Sequence, residues 1–233
     1  MSRNRYTDRS VLPHPAAVSG DSIRVRPGTY FERIDSSGKE ILITAELGPG
    51  ATILDAQQQG SVVQFHNGES SGAVLQGFTI RGGRSGDGGG VSILGASPVI
   101  RGNRIVENTA RSDRGGGLYC RDSNASIEDN TFERNIAGDR VSGFGAAIAC
   151  ESSEALIRGN RIRDNHAVGF SGFGAGHCLL RKSRPRDRGQ PHHRQRCGRS
   201  WWPWRRPLLL EIHFAGLAWN AATGKVCSVS ETR

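Results

Sequence analysis

The chain has 233 residues, 32 of them glycine, a formal charge of +9 and only 6% aromatic residues. Such a composition disfavours a helical bundle and suits a turn-rich β architecture. No run of 18 apolar residues occurs, so no membrane-spanning helix is expected.

The charge is unevenly placed. Residues 1–175 hold 19 Lys+Arg and 19 Asp+Glu, while residues 176–233 hold the other 12 basic and 3 acidic residues. A neutral body with a basic end argues against specific nucleic-acid binding, which needs a basic surface on the folded domain.

In chain order, residues 1–17 read as an irregular segment. They lack the apolar core of a secretory leader. The protein is therefore expected to be cytoplasmic, or its true start lies upstream. Short alternating runs follow: DSIRVRPGTY from Asp21, ILITAEL from Ile41, VVQFH from Val62 and AVLQGFTIRGG from Ala73. Alternation of apolar and polar residues is the strand period. No helical period separates these runs, so βαβ units are not expected. The glycine-rich stretch Arg81–Gly90 offers a single acid, Asp87. Such a loop cradles phosphate where a helix follows; a strand is expected here, so nucleotide binding is not.

Three units then align. They read GGGVSILGASPVIRGNRIVEN from Gly88, GGGLYCRDSNASIEDNTFERN from Gly115 and GAAIACESSEALIRGNRIRDN from Gly145, with starts 27 and 30 residues apart. A unit this short cannot bury its own apolar face, and stacking on its neighbours solves that, which makes a solenoid. The alignment predicts four inward columns: Val91, Leu118 and Ile148; Ile93, Cys120 and Cys150; Ile100, Ile127 and Ile157; Ile105, Phe132 and Ile162. Asn103, Asn130 and Asn160 fall in register, as do Asn108, Asn135 and Asn165, and stacked amides can hydrogen-bond along a column. Glycine and asparagine are expected to supply the positive φ of the corners. Outward columns alternate in sign, Arg101, Glu128, Arg158 and Glu107, Arg134, Asp164, as in-register neighbours prefer. Cys120 and Cys150 read as free thiols acting as small apolar residues.

The segment GDSIRVRPGTYFERI, Gly20 to Ile34, and the N-x-[I/F]-x-x-N pattern starting at Asn103, Asn130 and Asn160 resemble the right-handed parallel β-helix repeat family. This superfamily includes pectate lyases and related carbohydrate-active or surface proteins. The resemblance covers roughly Ala16 to Ala175. It implies a polysaccharide or cell-surface glycan as partner and an extracellular or surface location. Calcium enters only through it, because pectate lyases place calcium on carboxylates and use an arginine base; the residues themselves indicate no cofactor or metal. One fold hosts lyases, hydrolases, epimerases and inert adhesins, so fold alone fixes no chemistry. A catalytic reading would rest on Glu107, Arg134 and Asp164, which share one face with Glu133 and Arg163 nearby. The competing reading is a solvated salt ladder, and it is the preferred one.

From Gly176 the composition changes. Cys178, His192, His193 and Cys197 are zinc-ligand types at a spacing that matches no strong zinc pattern. RSWWPWRRP, from Arg199, is the kind of mixture that adheres to anionic surfaces. Read one base out of frame, the tail resembles another repeat. The codons for Trp201, Trp202 and Trp204 each force glycine there, the last one 30 residues after Gly174. A frameshift near residue 175 is therefore expected to have truncated the repeat.

The sequence thus predicts an all-β, right-handed parallel β-helix over residues 18–175 with about six turns. An irregular segment, residues 1–17, precedes it. A disordered or irregular basic tail, residues 176–233, follows. The first functional expectation is a noncatalytic carbohydrate-binding or cell-surface scaffold. The alternative is a polysaccharide lyase or glycoside hydrolase, inactive if the missing turns carried its site.

Overall fold

A computed structural model of the chain describes residues 4–7, 17–138, 143–168, 177–181, 211–213, 217–220 and 225–228, with side chains described within 17–138 and 143–168. The predicted zinc-type cluster and the Trp/Arg-rich segment lie outside the residues whose side chains are described.

Each turn contributes one short strand to each of three parallel sheets. The first sheet stacks Asn4–Thr7, Ser22–Val25, Leu42–Ala45, Val74–Gln76, Val99–Arg101, Ser126–Glu128 and Leu156–Arg158. The second stacks Gly28–Tyr30, Thr52–Asp55, Thr79–Arg81, Arg104–Val106, Thr131–Glu133 and Arg161–Arg163. The third runs Ile34–Asp35, Val63–Phe65, Val91–Leu94, Leu118–Arg121, Ile148–Glu151 and His177–Arg181, with Glu211–His213 antiparallel beside the last. A small fourth sheet, Arg84–Ser85, Thr109–Ala110, Ile136–Ala137 and His166–Ala167, fills the corner between the second and third. Asn4–Thr7 and His177–Arg181, which the repeat pattern leaves outside residues 18–175, pair in parallel onto the first and third sheets. An edge strand's free backbone groups accept any extended segment that reaches them, so these pairings need no repeat signature.

All four predicted columns are realised. Val91, Leu118 and Ile148 are register partners, as are Ile93, Cys120 and Cys150, and Ile100, Ile127 and Ile157. Ile105, Phe132 and Ile162 form the fourth. These side chains belong to one core running the length of the coil, with Ile157 and Ile162 partly buried in its last described turn. Cys120 and Cys150, register partners, are both buried with their sulfurs side by side.

The corners differ from expectation in one respect. Positive φ falls not on the asparagines but on the residue before each: Gly102, Asp129 and Gly159 before one column, Glu107, Arg134 and Asp164 before the other. The asparagine amides are engaged along the stack instead. Asn103 Nδ2 donates to Asn130 Oδ1 at 3.2 Å, and Asn130 Nδ2 to Asn160 Oδ1 at 3.0 Å. Asn108 and Asn135 repeat this toward Asn135 and Asn165 at 3.1 and 2.9 Å. Each amide also reaches a carbonyl of the preceding turn, so corner backbone that leaves the ladders stays satisfied.

Near the N-terminal end Glu69 does comparable work with a charge. It is buried, and its carboxylate accepts the Ser36 hydroxyl, the Gly38 N–H at 2.9 Å and the Asn67 N–H at 3.0 Å. Burial alone would raise its pKa, but these hydrogen bonds outweigh it and hold the group below the usual carboxylate value. A depressed folded pKa adds stability that is complete above the unfolded value and is lost as pH falls through the folded one. Glu69→Gln is therefore expected to lower stability near neutrality by roughly 2 kcal/mol. It should also flatten the loss on acidification below about pH 4.5. Urea titrations at several pH values measure both, and an unchanged acid limb would remove Glu69 from this role.

Candidate functional site

The three residues singled out from sequence sit on consecutive turns at one corner. Glu107, Arg134 and Asp164 have φ of 56°, 52° and 53°, each one residue past the second sheet. Left-handed backbone at a non-glycine residue is uncommon. Here it recurs at Asp122, Asp129 and Ser152 as well, so it belongs to the coil geometry rather than to chemistry.

The structure joins two of the three. Arg134 donates to Glu107 Oε1 from Nε at 3.0 Å and from Nη2 at 2.7 Å. Its other guanidinium nitrogen bonds Glu133. Among the described residues Asp164 forms no ion pair, so the alternating column does not close into the three-membered ladder that its signs suggested. The reason is competition: Glu133, one position earlier and with its side chain only 5% exposed, attracts the neighbouring cations. Arg163 approaches it at 2.8 Å from the next turn and Arg104 at 3.4 Å from the previous one. Register places Val106, Glu133 and Arg163 in one row, which brings these groups together.

This arrangement fixes the ionisation of the site. The hydrogen bond from Arg163 is the main cause holding Glu133 below the ordinary carboxylate range, against a smaller effect of burial. Hydrogen bonding to Glu107 likewise raises Arg134 above its usual value. A general acid must carry a proton at working pH. Glu133 is held ionised, and Arg134 is held as a cation rather than as a base. The carboxylates also fit calcium poorly. The ion takes six to eight oxygen ligands, whereas Glu133 directs both of its carboxylate oxygens, and Glu107 one of its two, at guanidinium groups. Among the described residues no group of three His, Cys, Asp or Glu side chains is close enough to hold a metal.

Beside this cluster lies an open groove lined by Asp55, Gln57, Gln58, Arg81, Gly82 and Glu107. Asp55 and Arg81 are register partners bonded at 2.9 Å. The first sheet carries a parallel row: Arg101 donates to Gln76 at 2.7 Å and Arg158 pairs with Glu128 at 2.9 Å.

A second polar cluster escaped the sequence reading. On the outward side of the third sheet, Tyr119 stands between inward-facing Leu118 and Cys120 and yet is only 2% exposed. Its hydroxyl donates to Glu151 Oε2 at 2.7 Å, and Arg114 Nη1 reaches the same oxygen at 3.2 Å. The Arg114 backbone N–H donates to Asp87 Oδ1 at 3.1 Å. Burial pushes both Asp87 and Tyr119 above their ordinary pKa values. Arg114 Nε is buried with no acceptor, the kind of unmet donor that native structures keep rare. The signal was present in the alignment, one residue before each aligned start: Asp87, Arg114 and Phe144 precede Gly88, Gly115 and Gly145.

Comparison with known proteins agrees with this geometry. A family described as a right handed beta helix region matches residues 50–184, more than half of the chain. The chain belongs to the right-handed parallel β-helix family. No curated protein and no solved structure matched. In this β-helix protein the match runs past Ala175 into His177–Arg181, the strand that continues the third sheet.

Proposed function

We propose that this β-helix protein, with residues 18–175 as its body, is a noncatalytic carbohydrate-binding or cell-surface scaffold. The observation that carries the reading is the regular outer surface, where charged and amide side chains recur turn after turn and pair along the axis, as in Asp55–Arg81, Glu107–Arg134 and Glu128–Arg158. A polymer laid along the coil meets similar donors and acceptors once per turn, about 4.8 Å apart, close to the length of one sugar ring. Paired side chains on a rigid coil lose little further freedom when they bind, which favours recognition by an extended face. Among the described residues no helix is long and apolar enough to cross a membrane.

Incubation of the full chain with pectin and with alginate tests this. The scaffold reading expects retention of the polymer with no new reducing or unsaturated ends. Release of such ends, lost in Arg134→Ala, would replace it with the lyase or hydrolase reading. We further infer that residues 176–233 are an out-of-frame continuation of the coil. A genomic sequence with no single-base slip near codon 175, together with relatives that share the tail, would overturn that.

A further inference from the structure

On the fourth sheet a groove is lined by Arg84, Ser85, Gly86, Arg111 and Ser112, without a carboxylate among its lining residues. Backbone pairing sets its two arginines one turn apart. Arg84 is in register with Thr109 and Ser85 with Ala110, and the Arg111 and Ser112 N–H groups donate to the Ser85 and Gly86 carbonyls at 2.7 and 2.8 Å. Both arginines are exposed.

Several arginines on the coil are compensated by carboxylates: Arg81 by Asp55, Arg104, Arg134 and Arg163 by Glu133, Arg114 by Glu151, and Arg158 by Glu128. In this groove two arginines come together without one. Arg84 donates only to the neutral amide of Gln58, at 3.2 Å, and among the described residues Arg111 has no ion-pair partner. Asp87, next in sequence, turns its carboxylate to the Arg114 amide instead. The Ser85 hydroxyl is occupied by the Asp87 carbonyl, and Ser112 is exposed and lines the same groove as the two arginines. Two cations sharing a groove repel unless an anion joins them, and the planar fork of arginine suits carboxylate and sulfate oxygens.

We infer that Arg84 and Arg111, with Ser112, form a subsite for the fixed anionic group of an acidic glycan, a carboxylate or a sulfate ester. This deepens the scaffold reading and rests on it.

The test titrates the full chain with polygalacturonate, dextran sulfate and neutral dextran at low and moderate salt. The subsite predicts that at least one polyanion binds roughly tenfold or more tightly than dextran, and that Arg84→Gln with Arg111→Gln removes this preference. The difference between the two polyanions identifies the anionic group. Arg24→Gln with Arg161→Gln, exposed arginines on other sheets, should leave affinity unchanged. If the glutamine pair perturbs the circular dichroism, Arg84→Lys with Arg111→Lys decides: charge stays, the fork goes, and the preference should fall. Equal binding of all three polymers, or a preference that survives both double variants, would overturn the subsite and leave the scaffold reading standing. Failure to bind any polymer would overturn both.

Discussion

Asn135→Ala is expected to destabilise the coil by about 3–5 kcal/mol, a large share of the stability of an ordinary domain. Asn135 is fully buried and uses its whole amide. Its Nδ2 donates to the Ile105 carbonyl at 2.9 Å and to Asn165 Oδ1 at 2.9 Å. Its Oδ1 accepts from the Asn108 backbone N–H and from Asn108 Nδ2, each at 3.1 Å. Alanine leaves a backbone donor on one turn and a backbone acceptor on the same turn unmet in the interior. Each such group costs roughly 1–3 kcal/mol, and the vacated volume adds to the loss. Asn160→Ala, at the end of the other asparagine column and only half-buried, should cost less because water can reach the freed groups. Equilibrium urea unfolding of both variants measures the contrast. Losses below about 1 kcal/mol for Asn135→Ala would mean the stacked amides contribute little, whatever their geometry.

The parts of this fold that were legible are those in which a turn repeats itself. Val91, Leu118 and Ile148 share one environment because the strands carrying them pair directly, so one residue class recurs at a fixed offset. The asparagines recur for the same reason, although sequence could not show that the residue before each takes the left-handed backbone. Contacts that cross columns were not legible. Glu133 gathers arginines from its own turn and both neighbours, and this depends on side-chain reach rather than on register alone. Tyr119, which no sequence column singled out, has its hydroxyl drawn to Glu151 from the next turn. The Arg84–Arg111 groove is defined by the lack of carboxylates, which a column of letters does not display.

The glycines before the third sheet carry the second large expected effect, and space is the reason. Gly116 does not have positive φ, so an L side chain is permitted by its backbone. A Cβ there would nevertheless collide with the Ile136 carbonyl oxygen and stand 2.6 and 2.7 Å from its carbonyl carbon and amide nitrogen. Backbone cannot rotate away as a side-chain tip can. To admit a methyl group, the third sheet must move off the Ile136–Ala137 strand, whose Ile136 N–H bonds the Asn108 carbonyl at 2.8 Å. Gly89, one turn earlier, is equally confined, with a Cβ 2.5 Å from the Thr109 carbonyl oxygen and 2.7 Å from that of Gly116. Gly116→Ala is therefore expected to cost about 3 kcal/mol, the upper part of the usual range for overpacking. Ala146 holds the equivalent place in the following turn and is buried without difficulty, so Ala146→Gly should cost only about 1 kcal/mol. The strain from Gly116→Ala and the loss from Asn135→Ala both fall on the corner that holds Ile136. The double variant should therefore lose less than the sum of the single losses. Strict additivity would show that the sheet contact and the amide ladder hold the coil independently.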